Sequence, residues 1–210
     1  MSQDGRESFI PALKYRWLTP LYDSLIRITL PEEKIKGELI RRASVQDGDH
    51  VLDIGCGSGT LMIMIKKAHP VAVVWGLDAD KEIIRWAKDK ARNEQLPLFF
   101  HRQLATEMDY PDATFNRVVS SLFFHHLRRE AKIKTLKECH RVLRPGGRIH
   151  IADWGRPHDV LMRLAFFLVQ ALDGFETTAD NVKGSLPAML EEAGFKTVEF
   201  FSHDCTQCFV

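Results

Sequence analysis

The chain has 210 residues, 45% of them hydrophobic and 27% charged, so we expect a single domain with one substantial core. Lysine and arginine total 29 against 28 aspartate and glutamate residues, and the formal net charge is +1. This balance excludes a strong field that would attract nucleic acid or an anionic membrane, and we expect neither partner. No uncharged apolar run approaches the roughly 18 residues of a membrane span. The polar start MSQDGRESF lacks the apolar stretch of a secretory signal, so we expect a cytoplasmic protein with reduced cysteines.

The predicted elements alternate between short apolar runs and longer helical patterns. Ahead of the first run, helices are predicted over residues 20–29 and 31–42, where they would cover the carboxyl edge of a sheet. Apolar runs follow at residues 51–54, 71–77, 98–101, 117–121 and 148–153, and a helical stretch is expected after each of the first four. This alternation predicts an α/β fold in which a mostly parallel sheet carries helices on both faces.

Several element ends are marked by particular residues. Asp80 is suited to cap a helix over residues 81–94, and a helix over residues 129–142 is expected to end at the turn formed by residues 143–147, LRPGG. Residues 195–202 and 206–210 are predicted to form a terminal antiparallel hairpin, which brings the sheet to seven strands. The predicted domain therefore consists of a helical cap (1–45), a core (46–153), a helical insertion (154–193) and a hairpin (194–210).

A glycine loop, VLDIGCGSGT at residues 51–60, contains the end of the first apolar run. A triphosphate loop is excluded because it needs a Gly-Lys-Ser/Thr ending, whereas Gly59 is followed by Thr60 and no lysine occurs before Lys66. The dinucleotide fingerprint places its third glycine three residues after the second, but Gly57 and Gly59 are two residues apart. This spacing weakens the dinucleotide interpretation and leaves it open.

An acidic residue, Asp78, follows the second apolar run and is suited to accept hydrogen bonds from ribose hydroxyls. The glycines of the loop indicate a backbone that comes very close to its ligand. Both features lie at the carboxyl ends of strands, which is where ligands bind in a doubly wound sheet. The residues therefore indicate a nucleoside site, but they do not indicate phosphate.

Four stretches fall in an order and spacing that resemble the class I S-adenosylmethionine-dependent methyltransferases. They are residues 53–60 (DIGCGSGT), 76–80 (GLDAD), 120–127 (SSLFFHHL) and 141–148 (RVLRPGGR). The chain is most similar to the methyltransferase type 11 group, which includes the ubiquinone and menaquinone C-methyltransferases. The resemblance implies a Rossmann-like methyltransferase fold, with S-adenosylmethionine as the cofactor and S-adenosylhomocysteine as its product. A Rossmann-type NAD domain is the alternative.

The resemblance also implies which residues bind the cofactor. The backbone around Gly55 would meet the methionine end, Gly57 would allow close approach, and Gly59 would let the following helix pack nearby. Asp78 would hold the ribose, while Asp53 would either point into the pocket or order the turn through backbone hydrogen bonds. The predicted cofactor-binding residues are Asp53, Gly55, Cys56, Gly57, Gly59, Asp78, Ala79, Leu104, Ala105 and Ser120.

One position departs from the family pattern. After the third strand these enzymes usually carry an aspartate that receives the adenine amino group, and Leu104 occupies that place here. We expect Leu104 to form an apolar wall beside adenine, and the backbone amide of Ala105 to supply a polar contact. The expected loss of polar recognition is about 1 to 2 kcal/mol. The fold is not expected to change.

Methyl transfer is an in-line displacement, so the protein's main task is to hold the acceptor at attack distance in a dry pocket. We predict His125 and Asp153 as general-base candidates, with Tyr22 as a further catalytic residue. A packing or helix-start role is the alternative for the His125-His126 pair. The predicted substrate pocket consists of Tyr15, His126, Trp154 and Phe166.

A nearly uniformly apolar segment, residues 160–172, lies in the predicted insertion. We expect it to form, with residues 15–22, a lid over an apolar acceptor cavity; plain core packing or the seam of a homodimer is the alternative. The expected partner is therefore a small, largely apolar methyl acceptor. An RNA or protein substrate remains a second interpretation, and a non-catalytic cofactor-binding protein a third.

Two other features of the sequence are predicted to take no part in binding or catalysis. Cys205 and Cys208 have the spacing of metal ligands, but one pair supplies only half of a zinc site, so no metal is expected. The basic residues between Arg128 and Lys137 alternate with glutamates, and we interpret them, Lys132 included, as a solvated helix face.

Overall fold

The computed structural model describes residues 32–154, 175–196, 198–203 and 206–209. Its helices are α1 (Glu32–Ala43), α2 (Thr60–Ala68), α3 (Lys81–Asn93), α4 (Arg129–Val142), α5 (Phe175–Lys183) and α6 (Leu186–Glu192). Its strands are β1 (His50–Ile54), β2 (Val73–Asp78), β3 (Phe99–Arg102), β4 (Phe115–Ser121), β5 (Leu143–Trp154), β6 (Phe200–His203) and β7 (Thr206–Phe209). A short 3-10 turn, Phe124–His126, joins β4 to α4.

The strands form a seven-stranded sheet in the order β3-β2-β1-β4-β5-β7-β6. The first five strands pair in parallel, and β7 pairs antiparallel with both β5 and β6. The predicted fold class and the terminal hairpin are therefore confirmed. The strand order reverses between β1 and β4, and this reversal opens a crevice at the carboxyl ends of those strands.

Two helix boundaries follow from the residues that the sequence singled out. Asp80 caps α3, because its Oδ1 accepts hydrogen bonds from the backbone amides of Glu82 (2.8 Å) and Ile83 (3.3 Å). Helix α4 covers residues 129–142, as predicted, but β5 begins directly at Leu143. The residues of the predicted turn form instead an irregularity in the pairing of β4 with β5. Phe115 on β4 pairs with Leu143, whereas Arg117, two residues later, pairs with Arg148.

The expected helix after the third strand is wrong. Residues 103–114 contain turns and no helix, since Asp109, Pro111 and Asp112 favour turns over a continuous helix. Arg141 on α4 holds this loop in place. Its guanidinium donates to the carbonyl oxygens of Tyr110 (2.7 Å) and Met108 (2.9 Å) and to the carboxylate of Asp112 (2.7 Å).

Each face of the sheet carries a buried apolar cluster. On one face α1, α2 and α3 contribute side chains such as Leu39, Met62 and Ala87. On the other face α4 and α6 contribute side chains such as Leu136 and Met189. Helices on both faces bury the central strands, which explains why those strands read as nearly continuous apolar runs. Within the described part of the chain, no helix is long and apolar enough to cross a membrane.

Some predictions fall outside the described residues. They are the helix over residues 20–29 and the apolar segment 160–172 with its proposed lid function. The helical character expected for the insertion is seen in its described part, which contains α5 and α6.

One buried histidine predicts how stability depends on pH. His150 on β5 is fully buried, and neither ring nitrogen has a hydrogen-bond partner. Burial, assisted by the charges of Arg117 and Arg148, lowers the pKa of His150 to about 4. The neutral ring therefore favours the folded state above pH 6.5 or so, and this advantage is lost as the pH falls toward 4. The loss is roughly 3 kcal/mol.

We expect His150→Leu to remove this part of the pH dependence. Denaturant unfolding of the wild type and the variant between pH 7 and pH 4 measures it, as the difference in unfolding free energy between the two proteins. Between pH 7 and pH 4, the unfolding free energy of the wild type should fall by about 2 to 3 kcal/mol more than that of the variant. Parallel stability curves would show that His150 does not titrate with a depressed pKa.

Candidate cofactor site

The glycine loop after β1 is built from three residues in the left-handed region. Gly55, Gly57 and Gly59 have φ values of 65°, 51° and 73°. At Gly55 an added Cβ would lie 2.2 Å from the ring of Phe123, so the loop and the segment after β4 are in contact there. At Gly57 an added Cβ would meet no atom within 4 Å, so its α-carbon faces open space. The loop thus presents bare backbone to a ligand at Gly57.

Asp78, at the end of β2, fixes the shape of this loop. Its Oδ2 accepts a hydrogen bond from the backbone amide of Gly57 (3.0 Å), and its Oδ1 accepts one from that of Asp80 (3.0 Å). Burial raises the pKa of Asp78, although these backbone hydrogen bonds oppose the rise. Each carboxylate oxygen keeps a lone pair that can accept from a ligand hydroxyl. Asp78 therefore connects the glycine loop to the adjoining cavity.

The cavity has a volume of about 440 Å³ and lies between the glycine loop, the loop after β3 and the first turns of α4. Its size lies within the range that small-molecule and cofactor pockets occupy. Seven residues predicted for the cofactor or substrate line it, namely Gly55, Gly57, Asp78, Ala79, Leu104, Ala105 and His126. The crevice expected from the strand order is thus a real pocket with predominantly apolar walls.

The other predicted cofactor residues do not belong to the cavity lining. The Cys56 thiol is buried, and burial raises its pKa. Gly59 is the N-cap residue of α2, and a Cβ added there would lie 3.2 Å from the Phe100 ring and 3.3 Å from Cβ of Ala87. The hydroxyl of Ser120 donates to the carbonyl oxygen of Ile54 (3.1 Å) and so ties β4 to β1. Their positions support the loop, and direct contact with a ligand stays a prediction for them.

Asp53 on β1 is also buried, with 1% of its surface exposed, and its Oδ2 has no hydrogen-bond partner. It does not belong to the cavity lining, so of its two predicted roles the structure does not show the one in which it points into the pocket. Burial raises the pKa of Asp53 to about 8; the charge of Lys36 opposes the shift and that of Asp78 adds to it. Asp53 therefore favours its neutral form at pH 7.

Next to the cavity, the structure brings together the two predicted base candidates. The Nδ1 atom of His125 lies 2.7 Å from Oδ1 of Asp153, and the backbone amide of His125 donates to Oδ2 of Asp153 (3.2 Å). Burial by itself would raise the pKa of Asp153, but His125 and the Trp154 backbone amide stabilise the carboxylate and the pKa is lowered. The carboxylate thus remains charged and fixes the orientation of the His125 ring.

His126, unlike His125, lies on the cavity wall. The centres of the two imidazole rings are 3.9 Å apart. Burial, followed by the proximity of His125, lowers the pKa of His126 to about 3, so its ring is neutral at physiological pH. The cavity is therefore bounded by a neutral imidazole, with the His125–Asp153 pair directly behind it.

A buried lysine network was missed by the sequence analysis. Lys132 is 1% exposed, which contradicts its assignment to a solvated face. Its ammonium donates to the carbonyl oxygen of Thr177 (2.7 Å) and to Oδ1 of Asn181 (2.9 Å), and the Asn181 amide donates to the Trp154 carbonyl (3.0 Å). Burial lowers the pKa of Lys132, while Asp180 and Asp153 oppose the shift. This network anchors α5 to α4 and to the end of β5, where Trp154 is partly buried.

Three predicted residues, Tyr15, Tyr22 and Phe166, lie outside the described residues, and their roles stay predictions.

Leu104, which occupies the position of the family's usual adenine-binding aspartate, borders the cavity, and its side chain is 39% exposed. No group of three or more histidine, cysteine or acidic residues in the described ranges is arranged to hold a metal ion.

The fold and the glycine loop define a nucleoside-binding α/β domain. Comparisons with known proteins identify the family to which this domain belongs. Residues 51–147 match the family described as a methyltransferase domain. The O-methyltransferase rstn1 of Aspergillus nomiae is 31% identical over 194 residues, which cover 88% of this chain and 80% of that protein. The ubiquinone/menaquinone biosynthesis C-methyltransferase UbiE of Bdellovibrio bacteriovorus is 33% identical over 119 residues, covering 57% of this chain and 50% of that protein.

Among solved structures, a putative O-methyltransferase from Nostoc punctiforme has the same fold, with a TM-score of 0.74 and 19% identity. The match covers 97% of this chain and 62% of that one. The chain therefore belongs to the class I S-adenosylmethionine-dependent methyltransferases. It spans about half the length of the first curated relatives that it matches, 50%, 53% and 55%.

Proposed function

We propose that this protein transfers a methyl group from S-adenosylmethionine to a small, largely apolar acceptor. The observation that carries the proposal is the cavity beside the glycine loop, in which bare backbone at Gly57 and the carboxylate of Asp78 face the same space. A nucleoside with a flexible charged arm fits this arrangement, because Asp78 can accept from ribose hydroxyls and the loop leaves room for close approach. The cavity volume of about 440 Å³ suits a ligand of this size.

When bound, the cofactor supplies a methyl group on a positively charged sulfur, which a nucleophile attacks in line. The residues of this chain would orient the acceptor and exclude water, since positioning accounts for most of the rate gain in such a transfer. The apolar walls formed by Leu122 and Phe123, the latter next to Gly55, favour such a dry site. Related proteins carry the names of O-methyltransferase and C-methyltransferase, and both kinds of acceptor lose a proton during methylation.

The histidine pair next to the cavity supports a proposal for where that proton goes. His126 lies on the cavity wall with a neutral ring, and His125 stands behind it with its Nδ1 fixed by Asp153. We infer that His126 contacts the acceptor, and that the His125–Asp153 pair stabilises the proton released from it. The carboxylate of Asp153 holds the His125 ring through its Nδ1 atom, as a buried carboxylate orients the histidine in other His–Asp pairs.

The function is tested by calorimetry with S-adenosylmethionine and S-adenosylhomocysteine, followed by incubation with a panel of lipophilic phenols, quinones and amines. We expect binding of both nucleosides and release of S-adenosylhomocysteine with at least one member of the panel. Turnover with RNA or protein, and with no member of the small-molecule panel, would show that the acceptor is a macromolecule. Binding without turnover on any acceptor would favour the non-catalytic interpretation.

A change at Asp153 tests the proton-handling role once an acceptor is found. We expect Asp153→Asn to lower turnover by about 100-fold or more, because the amide no longer fixes the tautomer and orientation of the His125 ring. The affinity for S-adenosylhomocysteine should stay within about 3-fold of the wild type, since Asp153 does not line the cavity. A matched control, Asp112→Asn, changes an exposed acid at the loop after β3 and should leave turnover intact. Equal turnover in all three proteins would assign Asp153 a packing role only.

A further inference from the structure

The cavity lining contains a buried hydroxyl that none of the described residues satisfies. Thr135, on α4, lines the cavity and has no exposed surface. Its hydroxyl oxygen is buried and has no hydrogen-bond partner. A threonine within a helix can satisfy its hydroxyl by bonding to a carbonyl of the preceding turn, but Thr135 does not. An unsatisfied buried hydroxyl is unfavourable, and a ligand in the cavity can relieve it.

The position of Thr135 identifies which part of a ligand it would meet. Glu138, three residues later on α4, accepts a hydrogen bond from the backbone amide of Met108 (2.8 Å), so this part of α4 lies against the loop after β3. Leu104 and Ala105 of that loop line the same cavity. Asp78 and Gly57 mark the ribose and the charged arm, and the nucleobase therefore extends toward the loop after β3 and Thr135.

Several other polar groups near this end of the cavity differ from Thr135 in what they offer a ligand. Gln103 lines the cavity, and its Oε1 accepts from the backbone amide of Asp109 (2.8 Å), which leaves its Nε2, a donor only, buried and without a partner among the described residues. Asp80 caps α3, and Asp78 holds the glycine loop. Glu130 lies in the exposed first turn of α4, more than a helical turn before Thr135. Two buried polar atoms at the nucleobase end are therefore left for a ligand among the described residues, Nε2 of Gln103 and the hydroxyl of Thr135. Nε2 can only donate, so the hydroxyl is the one of the two that can accept from an amino group.

We propose that the Thr135 hydroxyl is the side-chain contact to the edge of the cofactor's nucleobase, and that it replaces a carboxylate in this role. The inference rests on the proposed function, because it takes a nucleoside as the ligand. A carboxylate only accepts hydrogen bonds and selects a base that presents an amino group. A hydroxyl can donate or accept, so the site binds a purine whose edge carries either an amino or an oxo group.

The test is calorimetry with two ligands that differ only at that edge, S-adenosylhomocysteine and its deaminated form, S-inosylhomocysteine. We expect the wild type to bind the two within about 3-fold of each other. Thr135→Val keeps the shape of the side chain and removes the hydroxyl, so it should weaken both ligands by about 5- to 10-fold. Thr135→Ser keeps the hydroxyl and should bind both nearly as well as the wild type.

A second variant introduces the carboxylate. Leu104→Asp should tighten S-adenosylhomocysteine by about 5- to 30-fold through its amino group, and it should leave S-inosylhomocysteine unimproved. Selectivity between the two ligands therefore rises in this variant, which a change in folding alone would not produce.

Two outcomes overturn the inference while the proposed function stands. One is a Thr135→Val protein that binds S-adenosylhomocysteine as tightly as the wild type. The other is a wild type that prefers S-adenosylhomocysteine over S-inosylhomocysteine by more than about 30-fold, since a hydroxyl alone does not supply such a preference. A folded wild type that binds neither S-adenosylmethionine nor S-adenosylhomocysteine overturns the proposed function and this inference with it.

Discussion

Asp78→Ala should abolish detectable cofactor binding and leave a folded protein. The carboxylate has two tasks in the structure: its Oδ2 holds the Gly57 amide at 3.0 Å, and its free lone pairs face the cavity. The variant loses the ribose contact and the hydrogen bond that shapes the glycine loop. The combined loss is roughly 3 kcal/mol or more, which corresponds to an affinity at least 100-fold lower. Calorimetric titration with S-adenosylhomocysteine measures it.

The matched control is Asp89→Ala, which changes an exposed acid on α3 whose carboxylate pairs with Arg92 at the surface. It should bind S-adenosylhomocysteine like the wild type. If Asp78→Ala bound the cofactor within about 3-fold of the wild type, the assignment of the ribose site to Asp78 would be wrong.

Gly57→Ala should separate ligand binding from folding. An added Cβ meets no atom within 4 Å, so the cost to the fold is limited to the strain of alanine at a φ of 51°. That strain is about 1 to 2 kcal/mol. The methyl group occupies the space that we assign to the ligand, and we expect the affinity for S-adenosylhomocysteine to fall by about 100-fold. Calorimetry gives the affinity, and denaturant unfolding gives the stability.

Gly48→Ala is the control for strain. Gly48 has a φ of 80°, an added Cβ there also meets no atom within 4 Å, and the residue lies outside the cavity lining. The two variants should lose similar stability, but Gly48→Ala should keep its affinity. Equal binding by both variants would contradict the proposed approach of the ligand to Gly57.

Most of the fold was predictable because its signals are local. The alternation of apolar runs and helical patterns gave the five parallel strands and the terminal hairpin, and Asp80 and the end of α4 were placed correctly. The helix expected after β3 was wrong, since the turn-forming residues of that stretch are held by Arg141 from about 30 positions further along the chain. A local pattern does not contain such a partner.

The candidate site was predictable to the extent that it depends on chain order. The spacing of Gly55, Gly57 and Asp78 indicated a nucleoside pocket, and these residues line a cavity. The sequence predicted a base role for His125 with Asp153 and a place in the substrate pocket for His126, and the structure places His126 on the cavity wall and His125 against Asp153. Which of two adjacent residues faces a cavity is decided by the packing of the turn that carries them.

The sequence by itself determined the order of strands and helices, the left-handed glycine loop and the acid at the end of β2, because backbone preferences and apolar periodicity act between near neighbours. Only the tertiary structure decided that Lys132 is buried and that Thr135 carries an unsatisfied hydroxyl. Lys132 lies on a helix rich in charged residues, and its partners, Thr177 and Asn181, are 45 and 49 positions away. Whether a polar side chain is solvated, paired or left for a ligand depends on the segments that pack against it, and folding brings those segments from distant parts of the chain.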